Sequence, residues 1–316
     1  MKLLILFSAF ALAVKAGHLS DQEAWEQFKI QHGKTYRSLL EERQRFVIFQ
    51  TNLRIIEEHN KRFNRGEESF SAKMNHFGDL SRKEFKDTLR LQVPHLERNY
   101  ATFDDADVPE EFDWREHGAV TDVRQQGNCG SCWAFSAVGA IEGQVSIHKK
   151  ILNPLSPQQL VDCATTEYRN DGCIGGLVSS TFDYVKDHGI LADKDYPYKG
   201  KNGTCLKQGG VKISGYKWIP KHDEVALTNA IATKGPISVS LHAETLQFYE
   251  TGVIDGKGCN STIDSLDHSV ILVGYKKDYY IAKNSWGPNW GEQGYFRIQR
   301  NSNACGIALE NLYPVL

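Results

Sequence analysis

Apolar residues fall into several different rhythms along this chain. Leu3 to Val14 is an unbroken apolar run behind Lys2. It is too short to span a bilayer comfortably. With small residues at Val14 and Ala16, it predicts a secretory signal peptide over 1–16. A packed N-terminal helix is the alternative, but such a helix alternates apolar and polar faces, and this run does not. From 22 to 65 apolar positions recur every three or four residues. Trp25 and Phe28 come first, then Phe46, Phe49, Leu53 and Ile56 among Glu and Arg, which predicts a long amphipathic helix from about Ser38 to Phe63. Ser81-Arg-Lys-Glu84 reads as a capping box that opens another helix through Leu91. Thr102 to Glu111 is acidic, poor in apolar residues and carries Pro109, so it reads as an exposed linker open to proteolysis.

After residue 108 the rhythm changes again. Helices are expected from about Ser131 to Val145, from Ser156 (cap) and Pro157 to Cys163, and from Leu177 to His188 before Gly189. From Lys212 onward the pattern turns to strands: Ile237–Leu241, Val270–Val273, Tyr279–Ala282 and Tyr295–Ile298. Helices first and strands second predict an α+β fold in two lobes, behind a separate helical N-terminal unit.

Composition narrows the class. The chain has 316 residues, 37 Lys and Arg against 39 Asp and Glu, and a net charge of −2, so no basic nucleic-acid footprint exists. No later apolar stretch rivals the first, which excludes a polytopic membrane protein. Seven cysteines, all after residue 128, suit a secreted chain, and an odd count leaves one thiol either reactive or intermolecular. Asn202 and Asn260 open glycosylation sequons.

The richest stretch is Gln126-Gly-Asn-Cys129-Gly-Ser-Cys132-Trp133. It puts Cys132 at the start of a helix, where partial positive charge and unpaired N–H groups favour a thiolate. Such a nucleophile still needs a base and an oxyanion donor. Far downstream stand His268, just before an apolar strand, and Asn284 in Lys283-Asn-Ser-Trp286-Gly. A redox dithiol or half of a zinc site is the competing reading of Cys129-x-x-Cys132. The redox motif belongs in a small βαβ unit, and no second cysteine pair completes a metal set. His117, His148, His188, His222 and His242 read as surface or packing residues.

Taken together these residues resemble the papain-like cysteine peptidases, and within them the cathepsin L group. The resemblance extends upstream. Glu41-x3-Arg45-x3-Phe49-x2-Asn52-x3-Ile56-x3-Asn60 is similar to the family's inhibitory propeptide motif. Asn75-x-Phe77-x-Asp79 is similar to its second motif, with Lys73 where a Gly is usual. The resemblance implies a two-lobed fold with a helical left lobe and a β-barrel-like right lobe, behind a helical propeptide over 17–107, and a mature peptidase over 108–316. It implies Cys132 as nucleophile, His268 as its partner, Asn284 orienting the ring, Trp286 shielding it, and Gln126 in the oxyanion hole. It implies the pairs Cys129–Cys173, Cys163–Cys205 and Cys259–Cys305, where sequence alone permits 15 pairings. No metal and no cofactor are implied. A catalytically dead relative acting as a binding protein is the other class, and it usually lacks the nucleophile.

The same resemblance places Gly175 and Gly176 along the substrate backbone. It places Leu177, Val178, Ser240, Leu266, Ser269 and Glu310 around the pocket for the second residue before the cut. Ser269 and Glu310 depart from the family's usual small residues. An ionised Glu310 would admit Arg there besides apolar groups, unless it is simply a wet surface carboxylate. Absence of an insertion resembling an occluding loop favours an endopeptidase. Implied partners are protein substrates, the propeptide itself and cystatin-type inhibitors, on a monomer without nucleic acid or membrane. Acid activation through carboxyls such as Asp79, in a lysosome or a digestive lumen, completes the expectation.

Overall fold

The computed structural model describes residues 20–91, 93, 98–103 and 107–316. The expected signal segment therefore lies outside the described residues. Helix α1 (Asp21–His32) opens on a Ser20/Glu23 capping box and stops at Gly33 in the left-handed region. Helix α2 (Leu39–Asn64) is capped by Ser38 and matches the expected amphipathic helix within one residue at each end. Trp25, Phe28 and Phe49 form a small core between the two helices.

The polar residues of the α2 motif have local duties. Arg45 donates to the Asp79 carbonyl and to Glu84. Asn52 donates to the carbonyls of Gly78 and Leu80. Asn60 bonds both the N–H and C=O of Ala72 in strand β1 (Phe70–Ala72). The helix thus serves as a splint for the irregular 70–80 segment. Helix α3 (Arg82–Lys86) has the expected Ser81/Glu84 capping box but ends five residues early. The chain must extend there, because the Leu91 N–H bonds the Asp267 carbonyl at 3.1 Å, a tertiary contact that local spacing does not announce.

The C-terminal unit begins with β2 (Phe112–Asp113) and the central helix α4 (Cys132–Lys149). Buried on all sides through Ser146, α4 lies against the sheet, and Gly139 and Gly143 permit the approach. A Cβ at Gly139 would sit 2.0 Å from Ile271 Cδ1, and one at Gly143 2.6 Å from the Pro236 ring. Helices α5 (Pro157–Cys163) and α6 (Val178–His188) pack beside α4 around Trp133, Leu160, Phe182 and Val185.

Next come β3 (Gly215–Trp218), α7 (Glu224–Thr233), β4 (Ile237–Leu241), β5 (Tyr249–Ile254), β6 (His268–Tyr275), β7 (Tyr279–Lys283), β8 (Tyr295–Gln299) and β9 (Asn311–Val315). Helix α7 escapes a periodicity search because most of its circumference is buried, so no polar stripe marks it. The fold is α+β as expected, but the sheet is not a closed barrel. Its order is β1-β5-β8-β7-β6-β4-β9-β3, with β1 and β3 at open ends. Closure fails because β1 comes from the N-terminal unit, while β3 is drawn towards α6 of the helical lobe.

Disulfides Cys129–Cys173 and Cys163–Cys205 staple the helical lobe, and Cys259–Cys305 the sheet lobe. Cys132 is the one unbridged cysteine of the seven.

Candidate active site

Cys132 is the first residue of α4, and its cap residue Ser131 makes no side-chain bond to the helix. The helix N-terminus therefore keeps its unpaired N–H groups. Backbone N–H groups of Cys132, Trp133 and Ser269 face the thiol and favour its ionised form, yet burial dominates and pushes the thiol up to about 11. Cys132 is 1% exposed. His268, also 1% exposed, opens β6 and is carried to the same place by the sheet. Its Nε2 lies 2.9 Å from Asn284 Oδ1. That oxygen also accepts the Ser285 N–H at 2.8 Å, so the amide is fixed with its carbonyl toward the ring. An accepting oxygen requires a proton on Nε2, which leaves Nδ1 as the basic nitrogen. Burial pushes His268 down to about 4, against the opposing effect of Asn284.

The Trp286 ring stacks on His268, with centroids 4.7 Å apart. Phe77 and Phe85 of the N-terminal unit meet Trp286 edge-on at 5.2 and 5.6 Å. Gln126 is clamped beside the helix start: its amide nitrogen donates to the Cys129 carbonyl, and its oxygen accepts from Ser285 Oγ.

The other expected positions form two walls. Gly175 and Gly176 are sites of close approach. A Cβ on Gly175 would lie 2.3 Å from the Arg90 carbonyl oxygen, and one on Gly176 2.7 Å from the Trp133 ring. Leu177 and Val178 are buried at the start of α6, and Leu177 N–H is held by Asn170. On the opposite wall Ser240 pairs Ser269 across β4 and β6, with hydroxyls 3.1 Å apart. Ser240 N–H bonds the Glu310 carbonyl, so Ser269 of β6, Ser240 of β4 and Glu310, just before β9, form one row. Leu266 is buried nearby. Glu310 is no wet surface carboxylate. It is buried and paired with Arg98, and burial pushes it up to about 7 despite the Arg98 and Lys221 cations. Asn202 and Asn260 are exposed.

Sequence reasoning missed Arg98, Leu91 and Asp267. Nothing local marks them, since each acts by meeting the other unit. Asp267 is also pushed up by burial, to about 7. Asn75 donates to the Gln247 carbonyl, and Asp79 receives Lys34 and Tyr36. Among the described residues no cluster of His, Cys, Asp and Glu fits a metal ion, and no helix is long and apolar enough to cross a membrane.

Residues 108–315 match the family described as papain family cysteine protease, and residues 25–85 match the cathepsin propeptide inhibitor domain. The chain is 42% identical to a cathepsin L-like proteinase of Phaedon cochleariae, over the whole of both chains. It is 41% identical to digestive cysteine proteinase 1 of Homarus americanus, again over both whole chains. Among solved structures, digestive procathepsin L 3 of the Tenebrio molitor larval midgut superimposes with a TM-score of 0.89 at 40% identity. That match covers 95% of this chain and 100% of that one.

Proposed function

The chain belongs to the papain family of cysteine proteases and carries a cathepsin-type propeptide, and from that premise we propose an acid-activated zymogen whose endopeptidase centre is Cys132, His268, Asn284 and Gln126. The observation that carries the reading is the His268 Nε2 to Asn284 Oδ1 bond beneath Trp286, beside the unbridged thiol at the start of α4. With Nε2 protonated, Nδ1 takes the Cys132 proton. The thiolate attacks the scissile carbonyl, and His268 then returns the proton to the leaving amine. Oxyanion charge develops beside the Cys132 N–H and the Gln126 amide, the latter freed from Cys129 as substrate enters. Trp286 keeps water off the His268–Asn284 bond.

Residues 17–107 act as the inhibitor, removed near Val108 to leave 108–316, after loss of a signal segment at 1–16. The tail crosses the cleft at Leu91, whose bond to the Asp267 carbonyl occupies a substrate-facing position. Burial under this cover disfavours both the thiolate and the imidazolium, so the covered pair is neutral and dormant. Gly175 and Gly176 line the substrate backbone. Leu177, Val178, Ser240, Leu266, Ser269 and Glu310 line the second pocket, which takes apolar groups and, through Glu310, arginine. The processed enzyme works as a monomer in a lysosomal or digestive lumen, glycosylated at Asn202 and Asn260, and is open to cystatin-type inhibitors. Titration of the processed protein with a thiol-directed peptidyl epoxide tests the centre. Stoichiometric labelling at Cys132 supports it, and no labelling points to a binding protein instead.

A further inference from the structure

The tail of the propeptide makes a second, separate engagement beyond the thiol. At Tyr100 it pairs in parallel with Trp218 of β3, and the Ala101 N–H donates to the Trp218 carbonyl at 2.7 Å. Strand β3 is an open end of the sheet, so the tail covers an edge that would otherwise offer unpaired groups. This pairing sets the position of Arg98, two residues upstream. The Arg98 side chain is 1% exposed. Its guanidinium lies over the Trp218 ring, 4.7 Å from the centroid, and Nη2 pairs with Glu310 Oε2. Among the described residues nothing bonds Arg98 Nε or Nη1, both of which are buried.

We propose that Arg98 is a built-in ligand of the Glu310 pocket: the propeptide inhibits partly by lending the enzyme an arginine, and the pocket it vacates on activation selects a guanidinium side chain with Trp218 as its aromatic face. This deepens the pocket reading above and rests on it. Glu310 lies in a row with Ser240 and Ser269, and the Ser269 N–H faces the Cys132 thiol, so the pocket opens from the reacting centre. A carboxylate beneath and an indole alongside suit a planar cation, which gains from both. Nε and Nη1 together leave three N–H bonds unpaired, so the fit is incomplete. Burying an arginine with three of its five donors idle offers little net stability, because desolvation offsets much of the attraction. Such a contact sets register and excludes substrate, yet still comes away.

The pair makes an asymmetric prediction. Arginine stays charged whatever surrounds it, whereas a carboxyl left alone can take a proton. Removing Glu310 therefore strands a buried cation, while removing Arg98 leaves a group that neutralises itself. The test measures alkylation of Cys132 by iodoacetamide at pH 7.5 in the full-length zymogen, a readout that needs only a thiol. E310Q should label at least tenfold faster than wild type, as expected for a stranded buried charge. R98Q should change the rate less, and the R98Q/E310Q double variant should return most of the way to wild type. If E310Q accelerates labelling equally with and without R98Q, the two residues do not act as a pair and the proposal falls. In the self-processed enzyme, the ratio of kcat/KM for dipeptidyl substrates with Arg over Phe before the last residue should drop about tenfold in E310Q and severalfold in W218L. An unchanged ratio in both would overturn the selectivity. A wild-type protein that cleaves neither substrate would instead sink the peptidase reading, with the alkylation arm still standing.

Discussion

The charge state of His268 can be isolated by removing its titration and following stability against pH. In the closed protein burial lowers its pKa from 6.5 to about 4. Its closed form is therefore neutral between those values, where the unfolded chain takes up a proton. Stability contributed by neutral His268 is complete above 6.5 and is lost as pH falls toward 4. Between pH 7.5 and 4.5 that loss amounts to about 2.5 kcal/mol, at 1.36 kcal/mol per unit. For a chain of this length the entropy of unfolding near the midpoint is on the order of 0.6 kcal/mol per degree, so the loss is worth about 4 °C in Tm. The assay compares full-length Cys132→Ser protein, which cannot process itself, with the same protein carrying His268→Gln, by calorimetry at both pH values. The parent should lose about 4 °C more than the Gln variant over this interval. Parallel Tm shifts in the two proteins would mean that His268 is already hydrated or charged in the closed state, and the account of dormancy by burial would be wrong.

Other perturbations bear on different parts of the structure. Gln126→Ala should lower kcat/KM of the processed enzyme by a factor on the order of 10²–10³, with peptidyl epoxide still reaching Cys132, as expected for loss of one oxyanion donor. Asp79→Asn removes the charge facing Lys34, 2.7 Å away, and leaves one acceptor oxygen for the two donors Lys34 and Tyr36. The pH midpoint of self-processing should rise, and an unmoved midpoint on a gel series would exclude Asp79 from the trigger. Gly139→Ala puts a methyl 2.0 Å from Ile271 Cδ1 and should cost about 1–3 kcal/mol in chemical denaturation of the processed enzyme. A cost near zero would show that α4 and β6 can part.

Legibility followed the range of the interactions. Capping chemistry is local, so Ser38, Ser81 and Ser156 each mark a true helix start. Strand β4 was readable to the residue because its alternation is strict. Helix α7 was not, because burial erased its polar face. The end of α3 and the engagement of Arg98 were unreadable for another reason. Each is decided by a partner more than 170 residues away, Asp267 for the chain after α3 and Glu310 for Arg98. The nucleophile was legible through its setting at a helix start, and the catalytic His and Asn only through family resemblance, since a histidine before an apolar strand is otherwise unremarkable.

The way acid loosens the propeptide follows from which contacts titrate. Packing of Phe77 and Phe85 on Trp286, and pairing of β1 with β5, are indifferent to pH. Neutral burial of His268 and of His76, which burial and Lys34 push down to about 3, weakens closure progressively from pH 6.5 downward. Burial also lowers His242, which faces Arg82 and Lys86 of the N-terminal unit. Asp267 pulls the other way: with its carboxyl pushed up to about 7 by burial, closure takes up a proton between there and its ordinary value near 4, and gains stability as it does. One such carboxyl offsets only part of what the histidines lose, so a net loss begins at about pH 6.5. Below about pH 4.5 Asp267 is spent, and carboxylates held low by their partners, among them Glu68 with Arg62 and Glu244 with Arg82, begin to lose their bonds as well. Tm of the Cys132→Ser protein should therefore fall gently from about pH 6.5 to about 4.5 and then steeply. A Tm that stays level down to about 4.5 would show that buried carboxyls cancel the histidines, and that histidine protonation does not loosen the propeptide.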